Sequence, residues 1–497
     1  MIWREYHEST KHTPQLLSRI QYSLDWANMP DPFRHYEGVP VFDLPADPPT
    51  PDVPVLELLQ GAYGTTQVSD GPTFLSQLLF HSAAISASKM APSNGQRYAL
   101  RVNPSSGNLH PTEFHFLTHR LKQWPDGQYH YRPSSHMAEQ RAIGDLELMV
   151  ASEFAPIVFV LTSIAWREAW KYRNRAYRYC LHDMGHAWQS LALAARALGC
   201  DSYAIGQFPD DEVAQFCRLN EDEWPMLVVK LYGNPIPVSE PAAGQTVWFG
   251  GRANRLSTER IRYPGIDSIH AATKLSFGHQ SSRVSVAHEE PSPLTGSGKI
   301  KLPSPASSTR AFGKITRTRR SALDFEGGMQ SMSFAQLSTV LAASIGPFDS
   351  DFASTRFVQL YLYVHRVEEL RPGVYRYYPE HAKLEQIRSG DQRVAVAGLS
   401  LGQDLAGNAC VAFSMIADLN HAVRSHGERG YRYVHFEAGA IGQRLYLAAE
   451  ALGLRATGIG AFFDDQVSSY LNLASGQGQV VYHFAIGYPI FDPRVLA

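Results

Sequence analysis

The chain carries one segment twice. Asn174 to Val213 (NRAYRYCLHDMGHAWQSLALAARALGCDSYAIGQFPDDEV) matches Glu428 to Val467 (ERGYRYVHFEAGAIGQRLYLAAEALGLRATGIGAFFDDQV) without a gap, at an offset of 254 residues. Tyr177 pairs with Tyr431, Arg178 with Arg432, Gly185 with Gly439 and Gln189 with Gln443. A second gap-free match, at an offset of 246, aligns Asn103–Arg120 with Asp349–Arg366 and runs on from DGQYHYRPSSH into PGVYRYYPEHA. A chain of 497 residues is too long for one core. Two related domains are therefore expected, and positions where the copies differ in polarity mark where each has specialised.

The copies suggest a shared unit of helix, strand, strand, strand, long helix and strand, an α+β arrangement with helices on the faces of a mixed or antiparallel sheet. Helical patterns start near Phe74 and Phe334, the latter led by Ser333 as an N-cap. Apolar residues at Leu181, Met184, Trp188, Leu191, Ala195 and Leu198 form a seam at helical spacing. The second copy has Ala438, Gly442, Leu445, Ala449 and Leu452 there, small enough for two helices to approach closely about a pseudo-twofold axis. The Pro- and Asp-rich residues 1–55 read as an extended arm, 56–236 as the first copy, the Pro/Gly/Ser-rich 237–312 as a linker and 313–497 as the second copy.

Composition narrows the function. A net charge of -2 without a run of Lys and Arg gives no field for nucleic acid. Four cysteines without a CxxC pair indicate neither zinc nor a disulfide framework, and fit a reducing cytoplasm. The opening MIWREYHESTKH lacks the apolar core of a signal peptide, and the apolar stretch Ile157–Leu161 has the length of a buried strand, so no membrane association is expected.

Several segments differ between the copies in chemically suggestive ways. RTRRSALDF sets Arg319, Arg320 and Ser321 on one turn, which suits a phosphate or, equally, a solvated basic surface. The first copy has QGAYGTTQ there, without arginine. Pro104, Ser105, Ser106, Gly107 and Asn108 offer hydroxyl, amide and backbone groups to a planar heterocycle, or make a plain polar turn; the second copy replaces them with SDFAS. Lys171 and Tyr172 stand among Arg167, Arg173, Arg175 and Arg178, cations that would favour neutral lysine and ionised tyrosine, the base forms. A basic helix end facing solvent is the alternative reading. Ser425 and His426 occupy the matching places. HDMGH lacks the glutamate and third ligand of a zinc helix, and no GxGxxG or P-loop is present, so a pyridine nucleotide would bind only transiently.

Together YHESTKH, LDWANMPDPFRHYEG, PSSGNLHPTE, the KY pair before RAYRY, DMGH and RRS resemble the nitroreductase superfamily of FMN enzymes, and within it the SagB/ThcOx-type azoline dehydrogenases. The resemblance implies two fused nitroreductase-like domains forming an internal pseudo-dimer. Its one working FMN would be held by Arg319, Arg320, Ser321, Gly458, Ile459, Gly460 and Arg494 of the second copy and by Pro104, Ser105, Ser106 and Asn108 of the first. It implies Lys171 and Tyr172 as the base pair in a two-electron oxidation of a small heterocycle or modified peptide, with hydride passing to flavin N5. The alternatives are an NAD(P)H-dependent nitro, quinone or enone reductase, and a non-catalytic flavin-binding partner in a peptide-modifying complex.

Overall fold

The computed structural model describes all residues except 20–22, 66–67, 92–94, 152–153, 241–244, 277–298, 329, 354–355, 474–477 and 497. Part of the expected linker, Thr66 and Gln67 of QGAYGTTQ, and Ser354 of SDFAS therefore lie outside the described residues.

Two sheets repeat one topology. The first runs Met137–Ile143, Gly127–Arg132, Thr112–Thr118, Ile157–Ser163, Trp224–Tyr232, Asp201–Ile205, with every neighbouring pair antiparallel. The second runs Lys383–Ser389, Gly373–Tyr378, Val358–Val364, Val411–Ala417, Gln479–Gly487, Arg455–Ile459, again antiparallel throughout. Each copy thus has four such strands before its long helix and two after it, more than the pattern suggested. The additional strands after the hairpins, MAEQRAI and KLEQIRS, are mixed in polarity and carry little period-2 signal. In the first copy the central strands are buried along their whole length, because one face meets the long helix and the other meets Phe208, Val213 and Leu148. This explains the unbroken apolar run of Ile157–Leu161.

The long helices are Ala176–Ala197 and Gly430–Ala451. They cross most closely at the paired glycines, and Gly442 of the expected small-residue face packs against His186, where a Cβ would come within 2.7 Å of the ring. A Cβ on Gly185 would lie 2.1 Å from the Phe436 carbonyl oxygen, and one on Gly439 would lie 2.1 Å from the His182 carbonyl oxygen. Because Phe436 matches His182, these contacts are mirror images about the pseudo-twofold axis. Replacing Gly185 with Ala should destabilise the protein by roughly 1 to 3 kcal/mol or more, since backbone atoms cannot rotate away from an added methyl. An unchanged urea midpoint would remove this crossing from the account.

Charge pairs follow the same symmetry. Arg175 and Arg178 of the first copy reach Asp464 of the second at 3.0 and 2.8 Å. Arg429 and Arg432 reach Asp210 at 2.5 and 2.7 Å. The N-terminal segment, expected to be extended, begins with a helix, Ile2–Ser9, whose Trp3, Tyr6 and His7 are buried. Tyr6 stands edge-on to both Tyr177 and Tyr431, each at 6.0 Å, and so covers the axis. The helices near Phe74 and Phe334 are Gly71–Phe80, capped by Asp70, and Phe334–Ala343, where Ser333 and Gln336 form a capping box.

Candidate active site

Residues from both copies converge on one cavity of about 720 Å³, a size typical of small-molecule sites. The first copy contributes Pro104, Ser105, Ser106 and Asn108 with Lys171 and Tyr172. The second contributes Arg319, Arg320, Ser321, Gly458, Ile459, Gly460 and Arg494. All the site residues expected from sequence line this one space.

Local structure places each group. Arg319 ends the short helix Phe312–Thr318, a helix the sequence reading did not anticipate before the RRS turn. Ser321 then bridges to Ala456 beside the strand Arg455–Ile459, which brings the turn next to Gly458. Val495–Leu496 pairs with Ile85–Met90 of the first copy and carries Arg494 to the cavity edge. Arg494 is paired with Asp492 at 2.7 Å, and Lys89 reaches the same carboxylate at 2.9 Å, so this cationic edge is partly neutralised. The charge pairs hold Asp492 well below the usual carboxylate range.

Buried donors remain unsatisfied in the cavity wall. Arg319 gives its Nε and Nη2 hydrogens to the carbonyls of Val102 and Arg101, each at 3.3 Å, while its buried Nη1 has no protein partner. Arg320 donates to the Ser86 hydroxyl and carbonyl at 3.1 and 2.9 Å, and its Nε is likewise unpartnered. Buried guanidinium donors without an acceptor are costly. This donor set fits an anionic group such as a phosphate.

The loop Pro104–Asn108 is held by carboxylates beneath it. The Ser106 N–H and hydroxyl both donate to Asp183, at 3.1 and 3.0 Å. Ser105 Oγ accepts from the His110 N–H at 2.8 Å and approaches Glu168 at 3.5 Å. Asn108 donates its amide to the Ala99 carbonyl at 2.9 Å. The side chains of the loop are therefore largely engaged by the protein. Burial pushes Asp183 up to about 7. Burial and then the neighbouring Asp183 hold Glu168 well above the usual carboxylate range.

Lys171 and Tyr172 close the helix Ala165–Tyr172, which follows Ile157–Ser163, the fourth strand of the first copy's sheet. They lie directly against the loop. Gly107, at a φ of 59° that favours glycine, sits beneath both: a Cβ there would come within 2.7 Å of Tyr172 Oη and 3.1 Å of Lys171 Nζ. Lys171 is shifted below the usual lysine range by burial, with Glu168 opposing. The arginines expected to cause this are turned elsewhere: Arg175 and Arg178 to Asp464, and Arg167 to Glu113 at 2.5 Å. Their side chains satisfy buried carboxylates, which local sequence spacing cannot reveal.

Sequence reasoning missed other lining residues. Tyr446 Oη accepts from the Gly458 N–H at 2.9 Å and pairs with the Ser321 hydroxyl at 2.9 Å. The Tyr482 ring stacks on His182 at 4.3 Å, and its hydroxyl lies 3.3 Å from His186 Nε2. At the same 254-residue offset Tyr446 faces Ala192 and Tyr482 faces Val228, so comparing the copies would have found both.

The pseudo-symmetric place is filled by protein. Phe352, at the position of Ser106, stacks on Tyr433 at 4.4 Å and stands where a Cβ on Gly206 would come within 2.5 Å of its ring. Asp351 accepts from the Gly206 and Gln207 N–H groups at 2.7 and 3.0 Å. Between Ala192 and Ser202 on one side and Pro347 to Asp349 on the other, only about 10 Å³ remains.

A profile of the Nitroreductase family matches residues 75–233 and 317–488. A crystal structure of a protein from Anabaena variabilis, named as a nitroreductase, superposes with a TM-score of 0.78 at 26% identity, covering 98% of this chain and 99% of that one. MJ1384 of Methanocaldococcus jannaschii, also named as a nitroreductase, is 30% identical over 149 residues, which cover 29% of this chain and 75% of its own. The microcin B17-processing protein McbC of Escherichia coli is 28% identical over 150 residues, covering 27% of this chain and 54% of McbC. Among the described residues no helix is long and apolar enough to cross a membrane.

Proposed function

This chain belongs to the nitroreductase family, and from that premise we propose that it is an FMN-dependent dehydrogenase that takes two electrons from a small heterocycle or a peptide-derived azoline. The observation that carries the reading is the large cavity built from both copies, with unpartnered arginine nitrogens in its wall, opposite a pseudo-symmetric place filled by Phe352. The repeat units are read as 56–236 and 313–497, with 1–55 as an arm and 237–312 as a linker, so that each unit gives one half of the site. The likeness to McbC, named for microcin B17 processing, favours a peptide-derived substrate.

Arg319, Arg320 and Ser321 would hold the phosphate, Arg494 would add a charge at the edge, and the backbone of Gly458, Ile459 and Gly460 would face the ring system across from Pro104, Ser105, Ser106 and Asn108. When bound, FMN supplies a two-electron acceptor for hydride that oxygen can reoxidise. The protein supplies the proton acceptor: Lys171, uncharged more readily because it is buried, takes a carbon-bound proton, with Tyr172 beside it. Contact with the substrate matters more than basicity for such a step.

Flavin released from the pure protein should amount to about one FMN per chain. Arg319→Ala should weaken FMN binding by roughly 1.5 to 3 kcal/mol, the scale of a hydrogen bond to a charged group, or about tenfold to a hundredfold. A ratio near two would sink the asymmetric site, and a colourless protein would sink the flavin reading itself. Fast anaerobic bleaching by NAD(P)H with no reaction of any azoline would favour the reductase.

A further inference from the structure

We propose that the N-terminal segment is the substrate-selecting wall of the cavity and that it holds a flat, uncharged aromatic ring of the substrate. The inference rests on the reading of this cavity as the substrate site. Leu24, Trp26 and Met29 line the same space as Lys171 and Tyr172, yet they precede residue 75, where the family match begins. The wall thus lies outside the segments that the family profile matches, placed where it can alter selectivity without touching the cofactor-holding turns.

Trp26 is the centre of this wall. It is 63% exposed, although the segment carrying it is pinned on both sides. The Trp170 indole N–H donates to the Asp25 carbonyl at 2.8 Å, and Arg167 Nε donates to the Asp31 carbonyl at 2.9 Å. Asn28, buried, accepts the Glu259 N–H at 2.7 Å. The Trp26 ring meets Trp170 edge-on at 5.3 Å, and Trp170 immediately precedes Lys171 in the chain. A large apolar side chain on anchored backbone at the rim of a substrate-sized cavity is placed to meet a bound molecule. The three wall residues carry no charge, while the cavity's cations come from other elements. Dispersion and the ring quadrupole therefore dominate here, and both favour a flat aromatic partner.

The test is calorimetric titration of the purified full chain with 2-phenylthiazole and 2-methylthiazole, which share a ring and differ in the aromatic substituent. The phenyl compound should bind about tenfold more tightly, the upper range for an added aromatic contact. Trp26→Ala should abolish most of that preference with flavin content unchanged, and Trp26→Phe should retain most of it. Equal affinities in the unaltered protein, an unchanged preference in Trp26→Ala, or loss of flavin in that variant would each overturn the proposal. A Trp26-dependent preference in a protein that oxidises no azoline would leave the wall standing and reject the dehydrogenase reading.

Discussion

Lys171→Met and Tyr172→Phe should each slow substrate-dependent flavin reduction by roughly 100-fold to 10,000-fold, the range contributed by a positioned general base, while flavin content stays at its normal level. Both side chains lie against Gly107 of the loop Pro104–Asn108, and neither belongs to the turns that carry Arg319 or Gly458. The substitutions keep most of the bulk and remove the titrating group, so the loop should keep its place. A pH profile adds an independent readout. The base form is required, so the rate should rise with pH through the Lys171 pKa and level off; burial lowers that pKa, so the plateau begins below the ordinary lysine range. Lys171→Met should lose this limb. Near-normal reduction of flavin by an azoline in both variants would reject the pair as catalytic.

The internal repeat made most of this site legible. Where the copies differ in polarity, at RTRRSALDF against QGAYGTTQ or PSSGN against SDFAS, the structure brings the richer version of each to one cavity and fills the other place with Phe352. Tyr446 and Tyr482 obey the same rule, standing at the positions of Ala192 and Val228 in the first copy. Asp183 lies within HDMGH, where the sequence offers no sign that its carboxylate will hold a distant loop. Its role as acceptor for Ser106 depends on a contact 77 residues away in sequence.

What local reading could not reach were the partners of the arginines. RNRAYR looks like a basic patch beside Lys171, but Arg175 and Arg178 bond to a carboxylate 289 and 286 residues away. Spacing within a helix reports which side chains share a face, and it says nothing about which distant acid will meet them. The Lys171 shift therefore comes from burial, not from the arginines of the neighbouring sequence. The N-terminal helix escaped for a related reason: its Trp3 and Tyr6 are apolar only in relation to the two long helices they cover.

Those arginines carry the second large expected effect. Asp464→Asn should destabilise the fold by about 3 to 5 kcal/mol, because it leaves Arg175 and Arg178 buried without their counter-charge. Asp210→Asn should do the same to Arg429 and Arg432 at the mirror position. The two arginines hold Asp464 down at about 2 against burial, and its unfolded value is near ~4. A depressed folded pKa stabilises above the unfolded pKa and ceases to do so as pH falls through the folded one. The unaltered protein should therefore lose this contribution between about pH 4 and pH 2, and the variant, lacking it at neutral pH, should show a shallower acid limb in urea-midpoint measurements. Since the cavity takes Lys171 from one copy and Arg319 from the other, a weakened interface should also release flavin at lower urea than is needed to unfold either copy's sheet. Equal urea midpoints for Asp464→Asn and the unaltered protein at pH 7 would show that the pair contributes nothing to joining the halves.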